Sequence, residues 1–188
     1  MFYAHISHTP FKGFLKYVKT LMQITILIIV AVLTGLLLLS RYHFEVRADI
    51  LIDAPPRLVW QVLTDMKGYA IWNDQLAFLG GQPSKGERVR LRLSVGGADP
   101  YEFTPLINHW VPGKTIGWIA RTGMPGIFDG EHLFELQEQD GQTLLVNREV
   151  YRGILAPIIQ RQPMMKNAPA GFEKMNQQLK EHTETLHP

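Results

Sequence analysis

The sequence of 188 residues contains no cysteine. The chain therefore forms no disulfide, has no thiolate nucleophile and cannot build a zinc site from cysteine ligands. Disulfides are the usual sign of an oxidising compartment, so their absence leaves the compartment of the protein open.

A strong charge of either sign is also missing. Lys and Arg number 19 and Asp and Glu number 17, which gives a formal net charge of +2 at pH 7. A protein that follows a nucleic-acid backbone needs a basic stripe on its surface. We therefore expect no nucleic-acid partner.

The short motifs of several enzyme classes are absent as well. The sequence has no His-Glu-x-x-His, no Gly-x-Ser-x-Gly and no glycine-rich dinucleotide fingerprint. Gly81 and Gly86 have the spacing of a phosphate loop, but Glu87-Arg88 follows where the loop needs Lys-Ser or Lys-Thr. His5 and His8 have no neighbours that would complete a metal site. We expect neither a metal ion nor a cofactor.

One long apolar run, Leu21 to Leu39, contains no charged residue. As a helix rising about 1.5 Å per residue, it just spans a hydrocarbon core of about 30 Å. Its apolar residues surround the helix axis, which argues against a buried helix of a soluble protein. The alternative is a cleaved signal peptide, but the run is long for one and no small-x-small site precedes Arg41-Tyr42. The run predicts a single-pass membrane protein.

The predicted span divides the chain into three parts. These are an N-terminal tail over residues 1–20, the transmembrane helix over residues 21–40 and a domain over residues 43–184. The tail mixes aromatic and apolar residues with lysines. This composition suits either a poorly ordered terminus or an amphipathic segment at the membrane surface.

Basic residues flank the span on both sides. Lys12, Lys16 and Lys19 precede it. Arg41 and Arg47 follow it. The positive-inside rule favours the side with the lysines as the cytoplasmic one, so we expect the domain on the non-cytoplasmic side.

A strand and a helix open the domain. His43 to Asp53 alternates apolar and polar residues, as in an antiparallel sheet with one buried face. Pro55 and Pro56 suit the first turn of a helix, whose apolar residues recur at helical spacing up to Met66. Gly68 ends this helix.

Most of the remaining domain has the pattern of strands, which gives a sheet of six or seven strands in all. From about Ala170 the apolar residues recur at helical spacing, after a stretch that prolines interrupt. The predicted strand regions are 75–95, which holds two strands, and 101–111, 114–121, 128–137 and 142–151.

Four short elements at the start of the domain occur in a familiar order. They are Ile52-Asp53-Ala54-Pro55, Val59-Trp60, Asp65 and Trp72-Asn73. In this order they resemble the START-like superfamily, also called SRPBCC or helix-grip proteins, and in particular its polyketide cyclase/dehydrase-like branch. The resemblance covers most of the chain. It implies an α+β fold in which a curved antiparallel β-sheet wraps around a C-terminal α-helix, with a cavity between them for a hydrophobic ligand.

The implied cavity gives the leading hypothesis, a membrane-anchored binding or carrier protein for a hydrophobic small molecule or lipid. Aromatic and methionine side chains suit an adaptable apolar pocket. For any one of them plain core is the better explanation, but as a set on a helix-grip fold they favour a cavity. The expected ligand-binding residues are Trp72, Phe103, Trp118, His132, Phe134, Glu149, Tyr151, Phe172 and Met175, with Met164 and Met165 as further candidates.

His132 and Glu149 are the candidate catalytic pair. If Asp140-Gly141 is a two-residue turn, they face each other across the last hairpin, because paired positions keep a constant sum. A histidine and a carboxylate can act as general acid and base, or they can orient the polar end of a ligand. A bulge of one residue would separate them onto different faces. A merely structural cross-strand pair is the simplest interpretation.

Two further functions stay open at this point. One is a polyketide cyclase/aromatase-like enzyme that uses His132 and Glu149 in the same cavity. The other is a non-catalytic interaction module whose cavity is filled by its own side chains. An internal void separates the first two hypotheses from the third, and a contact between His132 and Glu149 inside that void favours the enzyme. The sequence has no signal for an oligomeric state.

Overall fold

The structure is a computed structural model that describes residues 9–94 and 99–187, with side chains described from residue 13 onward. The predictions for His5 and His8 lie outside the described residues. The chain divides into two compact units, residues 1–39 and residues 40–188. Each unit is described by itself.

The described part of the first unit lies in one helix, α1 (Thr9–Ser40). Its segment Gly13–Ser40 is the one helix in the described residues that is long and apolar enough to cross a membrane. A signal sequence near the N-terminus has the same length and composition. The helix runs on from Thr9 without a break at residue 20, so the division into tail, span and domain stays a prediction.

The described part of the second unit contains eight strands and several short helices around one long helix. The strands are β1 (His43–Ile52), β2 (Leu76–Gly81), β3 (Val89–Leu93), β4 (Tyr101–Phe103), β5 (Leu106–Val111), β6 (Thr115–Thr122), β7 (Phe128–Gln139) and β8 (Gln142–Arg152). The helices are α2 (Pro56–Thr64), a 3₁₀ turn (Met66–Gly68), α3 (Tyr69–Trp72), α4 (Ala156–Ile159) and α5 (Pro163–Thr185).

The strands form two antiparallel sheets. Five of them follow the order β1-β8-β7-β6-β5, and the other three follow the order β2-β3-β4. Together with α5, the curved sheets confirm the predicted α+β helix-grip fold. The prediction of one sheet with six or seven strands was wrong in detail, because the described residues form eight strands in two sheets.

The extra strand arises where the predicted strand 101–111 is broken at Thr104-Pro105. Proline has no backbone N–H to donate to a neighbouring strand. As a result, β4 pairs with β3 and β5 pairs with β6. A single bridge between Arg88 and Leu106 joins the two sheets at this point.

The long helix α5 also differs from its prediction. It begins at Pro163 and runs through Pro169, whereas the sequence predicted a regular helix only from about Ala170. Pro163 is at the start of the helix, where the missing N–H would have no partner anyway. Pro169 removes one backbone hydrogen bond, but Met165 and Ala168 on the same turns are buried in the core.

Two clusters of buried side chains make up the core. The larger one lies where α2, α3 and α5 pack on the sheets, and the smaller one lies near α4 and the start of α5. Among the side chains that the structure describes, every buried apolar one lies between Phe44 and Leu179, and none of those on α1 is buried. The second unit thus has a complete core of its own, and we expect it to fold without α1.

A buried amide pair fixes α5 on the five-stranded sheet. Asn147 Nδ2 donates to Asn176 Oδ1 at 2.9 Å, and Asn176 Nδ2 donates to the backbone oxygen of Ala48 at 2.9 Å. Both asparagines are almost completely buried. These bonds link β8, α5 and β1, and so they set where the helix lies on the sheet.

Candidate ligand-binding cavity

The second unit contains a cavity of about 220 Å³. Its lining residues come from both sheets and from the first half of α5. Most of the lining side chains are apolar or aromatic. This is the place where the helix-grip resemblance predicts a cavity.

Seven of the nine predicted ligand-binding residues line the cavity. They are Phe103, Trp118, His132, Glu149, Tyr151, Phe172 and Met175, and the further candidates Met164 and Met165 line it too. Their position agrees with a role in binding, and the role itself stays a prediction.

Trp72 and Phe134 do not line the cavity, so the expectation for these two was wrong. Trp72 ends α3, where its ring packs edge-on against Tyr69 at a centroid distance of 5.1 Å. Phe134 lies on the same face of β7 as His132, but it is 1% exposed and belongs to the larger cluster of buried side chains. Its ring packs against the imidazole of His132 at a centroid distance of 4.7 Å.

Several lining residues were missed by the sequence analysis. Phe128 and Gly130 share a face of β7 with His132, and strict alternation along the strand could have indicated both. Tyr101 could have been found in the same way from Phe103, two residues along β4. The other missed residues are Gln75, Leu76, Leu93, Ala120, Arg121, Thr122, Ala168 and Gly171.

The last hairpin brings His132 and Glu149 together as predicted. Asp140 and Gly141 have φ angles of 50° and 87°, which are the left-handed values of a two-residue hairpin turn. Gln139 therefore pairs with Gln142, and His132 pairs with Glu149. His132 Nδ1 lies 3.5 Å from Glu149 Oε2.

Glu149 has a second and closer partner on its own strand. The hydroxyl of Tyr151 donates to Glu149 Oε2 at 2.7 Å. The space for this carboxylate is provided by Gly130, since a Cβ at position 130 would lie 2.6 Å from Glu149 Oε1. A glycine at position 130 of β7 thus leaves room for the carboxylate of β8 in the position that it occupies.

The imidazole of His132 lies among aromatic rings. Trp118 stacks on it with a centroid distance of 4.9 Å and an interplanar angle of 12°, and Phe172 contacts it from α5 at 5.1 Å. His132 Nε2 is buried and has no hydrogen-bond partner in the described part of the chain. Buried polar atoms are normally paired, so this nitrogen is a candidate partner for a bound molecule.

The two tyrosines of the cavity keep their protons at neutral pH. Burial, together with the negative charge of Glu149 and the hydrogen bond to it, raises the pKa of Tyr151 far above its ordinary value. Burial and then the charge of Glu149 raise the pKa of Tyr101. The Tyr151 proton is the one donated to Glu149 Oε2, and the Tyr101 hydroxyl is available as a donor to a ligand.

Formal charge in the cavity is sparse. Apart from His132, the ionisable lining residues other than tyrosine are Glu149 and Arg121. The guanidinium of Arg121 lies 3.7 Å from Asp129 Oδ1 and its side chain is 42% exposed. Over residues 9–94 and 99–187, no three His, Asp or Glu side chains are grouped so that they could hold a metal ion.

The sequence of this domain matches the model of one protein family, described as Polyketide cyclase / dehydrase and lipid transport, over residues 43–184. The chain belongs to this family. The match runs from β1 to the last turn of α5 and confirms the predicted resemblance. A search of curated proteins found no match.

Solved structures share the fold of this member of the family. TTHA0849 from Thermus thermophilus is 20% identical with a TM-score of 0.60, and the alignment covers 77% of this chain and 100% of that one. NE0264 from Nitrosomonas europaea is 13% identical with a TM-score of 0.59, and the alignment covers 75% of this chain and 94% of that one. DynU16, from the dynemicin biosynthetic locus, is 21% identical with a TM-score of 0.54, and the alignment covers 75% of this chain and 47% of that one. At these identities the similarity shows the fold alone.

Proposed function

We propose that the domain binds a hydrophobic small molecule in the cavity between its sheets and α5. The observation that carries this proposal is a cavity of about 220 Å³ with a mainly apolar lining and one polar group, Glu149 with Tyr151 and His132. Apolar walls with a few polar groups that set orientation are typical of ligand sites. An interaction module with a filled core would not need such a space.

The volume limits the size of the ligand. A cavity of roughly 150 Å³ holds a benzene molecule, and typical sites for drug-sized ligands range from about 300 to 1,000 Å³. The observed 220 Å³ lies between these values. It suits one or two rings or a single short chain, and it is too small for a whole phospholipid with two acyl chains.

We further propose that α1 anchors the domain to a membrane, with the domain on the non-cytoplasmic side. A bilayer is a reservoir of apolar molecules, and a tether raises the effective concentration at which the cavity meets them. The uncharged run Leu21 to Leu39 supports the span, and the lysines before it support the orientation. In this arrangement the protein takes up or delivers a ligand that partitions into the bilayer.

An enzyme of the cyclase type is the second candidate function. It is favoured by the contact between His132 and Glu149 inside the cavity, at 3.5 Å. The unpaired Nε2 of His132 would be the atom that exchanges a proton with a substrate. A substrate would have to displace Phe172 to reach it, because that ring packs against the imidazole.

The binding proposal is tested by native mass spectrometry on residues 43–188, gently purified, followed by organic extraction of any bound molecule. We expect a small apolar molecule on the wild-type domain and its loss in Phe172→Asp. Ile158→Asp is the matched control, because Ile158 is 56% exposed and outside the cavity. Retention of the molecule in Phe172→Asp, or an unliganded domain that binds nothing from a panel of lipids and aromatic compounds, would contradict the proposal.

A further inference from the structure

We propose that the ligand presents a hydrogen-bond donor, either a hydroxyl or a protonated amine, to Glu149, and that the cavity discriminates against carboxylates. This inference rests on the proposed binding function and specifies its ligand. It follows from one carboxylate oxygen that accepts no hydrogen bond, from the charge balance of the cavity and from its aromatic lining.

Glu149 offers an unused acceptor to the cavity. Its Oε2 accepts the hydrogen bond of Tyr151 and faces His132. Its Oε1 accepts no hydrogen bond from the residues that the structure describes, although the side chain lines the cavity and is 18% exposed. An ionised carboxylate can only accept hydrogen bonds. A bound molecule can therefore satisfy Oε1 only if it brings an N–H or O–H group.

The charge of the cavity works against an acidic ligand. Arg121 is the one lysine or arginine among the lining residues of the described chain, and Asp129 already lies beside it. A fatty acid whose head reached Glu149 would place two carboxylates together in apolar surroundings. Like charges in such a place repel strongly and destabilise the complex.

The aromatic lining adds to the preference for a cation over an anion. Trp118, Tyr151 and Phe172 are among the aromatic residues that line the cavity with Glu149, and the faces of aromatic rings attract cations. A protonated amine is attracted by these rings and by the charge of Glu149, whereas a hydroxyl contributes only a hydrogen bond. Both ligands present a hydrogen-bond donor to the carboxylate.

In the wild-type domain a hydrogen bond holds the carboxylate in its position. Tyr151 fixes Oε2 from the same strand, and Gly130 leaves just enough room for Oε1. A ligand thus meets a preorganised acceptor, which lowers the entropy cost of binding.

The test compares three ligands with the same eight-carbon chain: octan-1-ol, octylammonium and octanoate. Titration calorimetry at pH 7 uses the full-length protein in lipid nanodiscs, with empty nanodiscs as the blank, and is repeated on residues 43–188. We expect octanoate to bind at least tenfold more weakly than octan-1-ol. Glu149→Gln should strengthen octanoate binding and weaken octylammonium binding, each by about tenfold or more. Glu149→Asp keeps the negative charge and should keep the discrimination against octanoate. This second variant provides a test if Glu149→Gln folds poorly.

Each remaining outcome separates this inference from the proposed function. If none of the three ligands binds, the binding function itself fails. If all bind equally and Glu149→Gln leaves their ratio unchanged, the inference is overturned and the binding function stands. Tight octanoate binding that is lost in Arg121→Gln would also overturn the inference, because the acidic head would then bind Arg121.

Discussion

Tyr151 and Glu149 lie two residues apart on β8, and the phenol donates a hydrogen bond of 2.7 Å to the carboxylate. Alternate residues of a strand point to the same face of the sheet, so the strand itself brings the two groups together. Gly130 pairs with Tyr151 across the hairpin and leaves space for the other carboxylate oxygen. An acidic group is thereby held in a cavity that is otherwise mostly apolar.

Tyr151→Phe removes that donor and should destabilise the domain. A hydrogen bond to a charged group contributes about 1.5–3 kcal/mol, and we expect a loss of this size in the free energy of unfolding, measured by urea denaturation. Tyr101→Phe is the control, because in the described residues the Tyr101 hydroxyl has no hydrogen-bond partner. It should change stability by less than about 0.5 kcal/mol. Equal effects of the two variants would show that the bond to Glu149 contributes nothing.

Two glycine variants should differ in how they disturb the site. In Gly117→Ala the new Cβ would lie 2.6 Å from the backbone oxygen of His132, which cannot move without breaking the sheet. In Gly130→Ala it would meet Glu149 Oε1, the end of a side chain that can turn.

We therefore expect Gly117→Ala to cost about 3 kcal/mol or more, and Gly130→Ala to cost about 1–2 kcal/mol. Gly130→Ala should still fold but bind octan-1-ol several-fold more weakly, because the carboxylate has moved. Denaturation and calorimetry on the same samples measure both effects. The explanation fails if Gly130→Ala keeps full affinity.

Acid should weaken the outer face of the five-stranded sheet through Glu135. Arg148 donates to both oxygens of Glu135, at 2.9 and 3.1 Å, and holds the pKa of this carboxyl below its ordinary value of 4.5. A group whose pKa is lower in the folded state stabilises the fold above its unfolded pKa. That stabilisation is lost as the pH falls through the folded value.

The stability difference between the wild type and Glu135→Gln should therefore be constant from pH 7 to pH 5 and should shrink below about pH 4.5. Urea denaturation at pH 7, 5, 4 and 3 measures it. A difference that grows on acidification would have the wrong sign for this ion pair.

The helix α1 should keep the protein in the membrane. We expect full-length protein to stay in the membrane fraction after carbonate extraction, with an intact mass near 21.4 kDa, and residues 43–188 to be recovered as soluble protein. A shorter chain found only in the soluble fraction would instead identify the N-terminal helix as a cleaved signal sequence.

Local chemistry made much of the fold predictable from the sequence. The alternation in β1 predicted its buried face, where Phe44, Val46 and Ala48 lie. Asp140-Gly141 defined a two-residue turn, and that turn alone set the pairing of His132 with Glu149. In each case neighbouring residues carry the whole signal.

The errors arose where distant parts of the chain decide the outcome. Strand alternation showed that Phe134 and His132 share a face, but it does not show that Phe134 lies within the core while His132 lines the cavity. The helix runs through Pro169 because Met165 and Ala168 gain contacts in the core that offset a missing hydrogen bond. Sequence periodicity shows which face a residue lies on, but not which distant part of the chain packs against that face.

The central claim is that a small apolar molecule binds inside this cavity, and methionine methyl NMR tests it most directly. Met165 and Met175 line the cavity, whereas Met66 is buried elsewhere in the core and Met124 is 72% exposed. Octan-1-ol and toluene are titrated into residues 43–188 labelled at the methionine methyl groups. We expect the resonances of Met165 and Met175 to shift and saturate while those of Met66 and Met124 stay in place. Shifts confined to Met124, or no saturating shift at Met165 and Met175, would contradict the claim.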